Sequence, residues 1–406
     1  MAHLGLLELF HKIFNFAEKI TAMNRKFSVL IACFFFLSGV SLEAQEKDTA
    51  YQFEHIRINP ATSVKDQHRS GTCWDFAGLS FIESELIRQG KGEHDLSEMY
   101  IVRMVYPEKA AKYIRYHGRF NFSMGGQAHD VTNAIAAYGI VPEDVYPGLQ
   151  IGEEKHNHGE MDHVLKTFCK AVNDKKGGKI TPVWMDAYEA ILDAYLGPVP
   201  EDFQWQDETY DPASYAASLE IDPDDYIELT SYSNYPFNEQ VVLEIPDNWS
   251  DDLYYNVKLD DLVQTMKYAL ENGYTLVWDG DVSDRFFCFD EGVAIVPDAD
   301  PEEMEKEELE EMCKHPVEQK EVTQEMRQEV FDNRTSTDDH LMHITGLVED
   351  QNGVVYFRTK NSWDSSSNDF GGYLNMSEPY IRMHTVAIML HKDALPGDLA
   401  EKLNVK

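Results

Sequence analysis

Apolar positions change their period along the chain. Trp74, Phe76, Ala77, Leu79, Phe81, Ile82, Leu86 and Ile87 recur at helical spacing and predict a buried helix that ends near Gly90-Lys91-Gly92. Leu96-Ser97-Glu98 opens a second helix, with Met99, Ile101, Val102 and Val105 behind it. A third is expected over residues 128–138, with Gly139 as its C-cap and Val141-Pro142 closing it. Residues 45–70 read as extended and loop-like, and 257–273 as an amphipathic helix. Residues 150–225 are polar and acidic, with helical stretches such as 183–196, and read as an inserted, mostly helical subdomain. Strands come late: 274–278, a hairpin of 344–348 and 354–359 turning at Asn352-Gly353, and a last strand at 386–390. The acidic stretch 302–329 reads as a single solvated helix within an insertion at about 300–332. Helices first and strands last predict an α+β chain, not alternating βαβ units.

The N-terminus carries a different pattern. Met23-Asn24-Arg25-Lys26 is basic, residues 27–39 are almost wholly apolar, and Leu42-Glu43-Ala44 precedes the polar Gln45-Glu46-Lys47-Asp48. That order describes a secretory signal, and the run is short for a membrane span. Residues 1–44 are therefore expected to be a signal, with an upstream extension if Met23 is the true start, and residues 45–406 the mature domain. The expectation is export to the periplasm or the cell exterior, or membrane anchoring if the segment is retained.

Composition narrows the classes. The chain is 43% apolar over 406 residues, enough for a substantial core, and 12% aromatic, which argues against disorder. A formal net charge of −37 makes nucleic acid and anionic membranes poor partners. Of Cys33, Cys73, Cys169, Cys288 and Cys313, the first lies in the signal-like segment. The remaining four make no disulfide scaffold and no zinc spacing. With Cys73 free, at most one disulfide forms among Cys169, Cys288 and Cys313, and the sequence does not select the pair.

The candidate chemistry gathers around Cys73. It follows a glycine-containing turn and opens a predicted helix, where unpaired N–H groups and the helix dipole favour thiolate. Gln67 precedes it in Gln67-His68-Arg69-Ser70-Gly71-Thr72-Cys73-Trp74. Its side-chain amide, with the Cys73 backbone N–H, can hold an oxyanion. His340, in Asp339-His340-Leu341-Met342, can take the thiol proton and return it to a leaving amine. His343 is the rival, but residues three apart on a strand face opposite sides, and His340 fits the pattern better. Asn361, in Lys360-Asn361-Ser362-Trp363, can orient the histidine, with Trp363 shielding their bond.

Gln67, Cys73-Trp74, Asp339-His340 and Asn361-Ser362-Trp363 together resemble, in order, the landmarks of the papain superfamily. Gly125-Gly126 is similar to the glycine pair that binds substrate backbone there, and Trp74 and Trp363 are expected beside the substrate. The wide gap from Cys73 to His340, against ~130–150 residues in compact members, resembles the bleomycin hydrolase and aminopeptidase C branch. So do Tyr138-Gly139-Ile140-Val141-Pro142, Leu229-Thr230-Ser231-Tyr232 and Gly280-Asp281-Val282. The resemblance implies a two-lobed fold, a helical lobe plus a β-barrel-like lobe, with helical insertions. It implies a thiol peptidase acting on peptide substrates, with no cofactor and no metal, an aminopeptidase above all, and a homo-oligomer of hexameric type. The chain departs from the branch in its signal-like start, in Asp75 after Cys-Trp, in Asp364 after Asn-Ser-Trp, and in lacking the longer cleft-filling tail. An open-cleft endopeptidase is the alternative within the class, and a catalytically silent peptide-binding protein the alternative outside it. A transglutaminase-like enzyme would use Cys-His-Asp, and Asn361 argues against that.

Two further groups are set aside. His156, His158 and His163 lie in a polar loop with no second-shell pattern for a metal. Asp279, Asp281 and Asp284 lack the later ligands of a calcium loop and read as loop residues near the cleft.

Overall fold

The computed structural model describes residues 50–299 and 304–406, so the signal-like segment lies outside the described residues. The helices are α1 (Cys73–Arg88), α2 (Glu98–Arg115), α3 (Ala128–Tyr138), α4 (Gly159–Asn173), α5 (Val183–Leu196), α6 (Pro212–Leu219), α7 (Leu259–Glu271), α8 (Lys306–Met312), α9 (Gln324–Asp332), α10 (Glu378–His384) and α11 (Gly397–Leu403). The strands are β1 (Phe53–Ile58), β2 (Phe203–Trp205), β3 (Glu208–Tyr210), β4 (Tyr226–Thr230), β5 (Glu239–Val242), β6 (Leu253–Asn256), β7 (Leu276–Gly280), β8 (Phe287–Cys288), β9 (Val293–Ala294), β10 (His340–Asp350), β11 (Val355–Lys360), β12 (Tyr373–Ser377) and β13 (Thr385–His391).

Local chemistry sets several boundaries. Ser97 caps α2 by accepting the Tyr100 N–H at 3.0 Å. Asp130 reaches back to accept the Gln127 N–H at 2.8 Å at the start of α3. Gly139 ends α3 at φ 78°, where a side chain would also strike the Pro212 carbonyl.

All strands but the β2–β3 hairpin join one sheet, in the order β5-β6-β4-β13-β7-β10-β11-β12-β9-β8, with β1 paired to β10. β7, β10 and β13 divide their side chains between two cores, as period-2 alternation requires. Val277, Leu341 and Met389 face the helical lobe and pack with Trp74, Phe81, Tyr100, Val131 and the inner faces of α4 and α5. Trp278, Met342 and Ile388 face the other way and pack with Leu262 and Met266 of α7 and with Leu399 and Leu403 of α11. The C-terminal helix is thus committed to the β-lobe core. The segment read as an inserted subdomain contributes Met161, Leu165, Tyr188 and Leu192 to the same core as α1.

Several expectations need correction. Residues 45–70 contain β1, held to β10 by backbone pairing while its side chains stay largely exposed. The acidic stretch 302–329 is two short helices, α8 and α9, rather than one, apart from residues 300–303, which are outside the described residues. Pro316 restricts His315 to extended backbone, and Cys313 is tied to Cys288 by a disulfide. Cys169 is buried and free. Asp279, read as a loop residue, lies inside β7.

Candidate active site

Cys73 is the first residue of α1, on the line where the helical lobe meets β10. Backbone hydrogen bonds from Leu341 and Trp74 favour its thiolate, yet burial outweighs them and pushes the thiol up to about 12. The expected depression by the helix terminus is therefore outweighed by desolvation among the surrounding side chains, although Cys73 itself stays partly exposed. His340 is the first residue of β10, and burial pushes its imidazole down to about 4. Both shifts penalise a lone charge. The backbone of Leu341, next to His340 in β10, bonds the Cys73 sulfur, so moving the proton from thiol to imidazole makes two opposite charges near one another, each offsetting the desolvation of the other.

His340 Nε2 donates to Asn361 Oδ1 at 2.8 Å, which leaves Nδ1 as the ring nitrogen available to a thiol. Trp363 lies over that bond, its ring centroid 4.9 Å from the His340 ring at an interplanar angle of 31°. His343 points elsewhere. Its Nδ1 meets Ser80 Oγ of α1 at 2.8 Å, and Lys360 Nζ donates to the same hydroxyl at 2.7 Å. The rival histidine is committed to a buried polar contact beneath the site.

Gln67 is buried beside this group. Its backbone N–H donates to the Ser362 carbonyl at 2.8 Å, and its side-chain Oε1 accepts from Ser362 Oγ at 2.6 Å. With the amide oxygen occupied, the Gln67 amino group is the end left to donate to an oxyanion. Ser362 also donates its backbone N–H to Asn361 Oδ1 at 2.7 Å. One serine therefore orients both amides. It lay inside the Asn-Ser-Trp motif, but its hydroxyl had no assigned task.

The glycine pair and the two tryptophans differ in role. Trp74 is wholly buried, so it supports the site from below and does not line it as expected. Its indole N–H donates to the Met124 carbonyl at 3.0 Å, and its ring lies under Gly126, where an added Cβ would come within 3.0 Å. An added Cβ on Gly125 would fall 1.9 Å from Asp247 Oδ2, so a carboxylate rests against the glycine pair. Trp363 borders a cleft of about 1010 Å³ shared with Arg285, Phe287, Phe289, Met304 and Leu309. Among the described residues no group of three or more His, Cys, Asp or Glu side chains is arranged to hold a metal ion.

A helix headed by a cysteine, packed against a sheet that carries a histidine at the start of one strand and an asparagine just after the next, is the arrangement of a papain-like cysteine peptidase. The sequence comparison agrees: residues 37–406 match the model of the Peptidase C1-like family, and the chain belongs to that family. It is 22% identical to aminopeptidase G of Lactobacillus delbrueckii subsp. lactis over 398 residues, covering 85% of this chain and 84% of the relative. It is equally 22% identical to aminopeptidase C of Listeria monocytogenes over 382 residues, covering 84% and 82% of the two chains. The crystal structure of PepW from Lactobacillus rhamnosis superposes with a TM-score of 0.65 at 19% identity, over 86% of this chain and 84% of that one, and so shares the fold.

Proposed function

We propose that this cysteine peptidase removes residues from the amino termini of peptides, with Cys73 as nucleophile, His340 as acid and base, Asn361 as the orienter of His340, and Gln67 with the Cys73 N–H as oxyanion donors. The observation that carries the reading is the continuous set of bonds from Gln67 through Ser362 and Asn361 to His340, whose chain neighbour Leu341 bonds the Cys73 sulfur through its backbone. Cys73 attacks the peptide carbonyl as its proton passes to His340. The oxyanion forms between the Gln67 amide and the Cys73 N–H. His340 returns the proton to the leaving amine, then takes one from the water that releases the acyl group. The preference for amino termini follows the aminopeptidase names of the relatives.

Export is part of the same proposal. The signal-like pattern supports it, and so does the Cys288–Cys313 disulfide, a bond that persists in oxidising compartments. The test compares hydrolysis of a short peptide with a free amino terminus against its acetylated twin, with Cys73→Ala as the control. Cleavage of the free form alone is expected. Cleavage of both forms points to an endopeptidase, and turnover that survives in Cys73→Ala removes the assignment of the nucleophile.

A further inference from the structure

Ser80, His343 and Lys360 meet at one buried point below the catalytic group. Each belongs to a different element, and each of those elements carries or adjoins one residue of that group. Ser80 lies on α1 about two turns beyond Cys73, so the two share a face of the helix. His343 is on β10, the strand that begins with His340. Lys360 ends β11, directly before Asn361, and pairs across the sheet with His343.

The bonds at this point have defined directions. Lys360 Nζ donates to Ser80 Oγ at 2.7 Å, which leaves the serine proton for His343 Nδ1, 2.8 Å away. Burial, reinforced by the Lys360 charge, holds the His343 imidazole well below the ordinary histidine range, so the ring is neutral and can accept. Lys360 also donates to Thr62 Oγ1 at 3.2 Å, and Thr62 donates in turn to Glu83 Oε2 of α1 at 2.5 Å. Burial lowers Lys360 to about 8, while Glu83 supports its charge. Apolar packing also holds α1 to β10, but it is non-directional and tolerates small slips. A hydroxyl that must stand between a lysine and a histidine tolerates far less, and in a dry interior its bonds are strong.

We propose that Ser80, His343 and Lys360 are positioning residues for the peptidase reaction, a three-way joint that sets the register of α1 against β10 and β11 and so the approach of Cys73 to His340 and Asn361. The joint acts through the backbone of the elements it ties and touches no substrate. The inference rests on the peptidase reading for its reaction.

The test removes the joint whole, in the full chain, with Ser80→Ala, His343→Val and Lys360→Met together. Replacing a buried polar cluster by apolar side chains of similar volume is often neutral or stabilising, so the triple variant is expected to keep its thermal midpoint. Its kcat should nevertheless fall by up to about 100-fold, the effect of a misplacement of about 1 Å. Peptide affinity, measured by calorimetry with Cys73→Ala added, should stay as it is without the three changes. Alkylation of Cys73 by iodoacetamide, which needs the thiolate but no turnover, should slow in parallel with kcat. His343→Asn, which keeps an acceptor near the place of Nδ1, should retain most of the rate that His343→Val loses. A folded triple variant with wild-type kcat and alkylation rate overturns the proposal. So does a lowered midpoint with both rates unchanged, the mark of a purely structural role. Should the triple variant fail to fold, equal kcat in His343→Asn and His343→Val overturns it instead. Failure of the peptidase reading is a separate result: wild-type protein that hydrolyses no peptide while the alkylation rate still depends on the joint.

Discussion

Ser362 Oγ donates to Gln67 Oε1 across 2.6 Å, joining the turn that carries Asn361 to the segment that precedes Cys73. Without the serine hydroxyl the Gln67 amide is free to rotate its oxygen toward the developing oxyanion, where it repels instead of stabilising. Ser362→Ala is therefore expected to lower kcat about 10-fold, less than the ~10²–10³ of losing an oxyanion donor outright. KM should change little, and Ser362→Thr should restore most of the rate. Steady-state kinetics on the three proteins check this; unchanged kcat in the alanine variant refutes the positioning role.

The active proton state is the one with a single proton shared between Cys73 and His340. Burial places its lower bound near the His340 value of about 4 and its upper bound near the Cys73 value of about 12. The acid limb of kcat/KM should thus lie well below the ordinary histidine value of about 6.5. The Asn361 bond favours the protonated ring, so Asn361→Ala should move that limb lower still while reducing the rate. An acid limb at ordinary histidine pH would contradict the buried placement of His340.

Stability should fall as the medium becomes more alkaline. Burial raises Glu143 to about 8 and Asp338 to about 7, above their unfolded values. Between roughly pH 4 and 8 the folded chain then holds protons that the unfolded chain has released, so rising pH favours unfolding. His129 acts in the same sense. Burial opposes its charge, but Glu228 holds it up at about 9, and the stability this supplies, full below about pH 6.5, is lost as pH rises through about 9. Denaturant titrations at pH 5 and pH 8 should show the larger stability at pH 5, with a shallower slope in Glu143→Gln.

Gly125 accommodates the Asp247 carboxylate, and alanine there would collide with it. Gly125→Ala should reduce kcat/KM by displacing both the backbone of the glycine pair, where we place the substrate, and Asp247. The double variant Gly125→Ala, Asp247→Gly should recover part of the thermal stability, because the collision is gone. No recovery would mean that the glycine is needed for another reason.

The Cys288–Cys313 disulfide closes a loop of sequence separation 25 beside the large cleft. Loop-closure entropy at that length stabilises by roughly 3 kcal/mol. Reduction, or Cys288→Ser, should lower the unfolding midpoint correspondingly. An unchanged midpoint would show that the thiols do not pair in solution.

The site was legible because its chemistry admits few residue types. Cys73, His340, Asn361 and Gln67 could be found in order along the chain, and α1, α3 and α5 by their apolar period. The strands β1 and β5 were not, since their side chains are mostly exposed and backbone pairing with distant partners holds them in place. Asp247 escaped notice for a related reason: nothing local marks it, and only the fold of the 243–251 loop onto the glycine pair brings it to the site. Asp279, after Leu276-Val277-Trp278, was a visible irregularity in an apolar run, and it was assigned to a loop because the expected strand stops at Trp278, two residues short of the end of β7.

The seam between the two lobes is stitched at the site itself. Gln67 N–H to the Ser362 carbonyl, Asp364 N–H to the Lys65 carbonyl and the bridge between Asp66 and Trp363 hold the segment before Cys73 against the turn after β11. The nucleophile stands on one side of that seam and its base on the other. A molecule whose lobes have parted therefore keeps both halves of its machinery and loses all of its activity. The power to cut other chains exists only while that seam is closed, and a copy that begins to come apart there disarms itself before it can damage its neighbours.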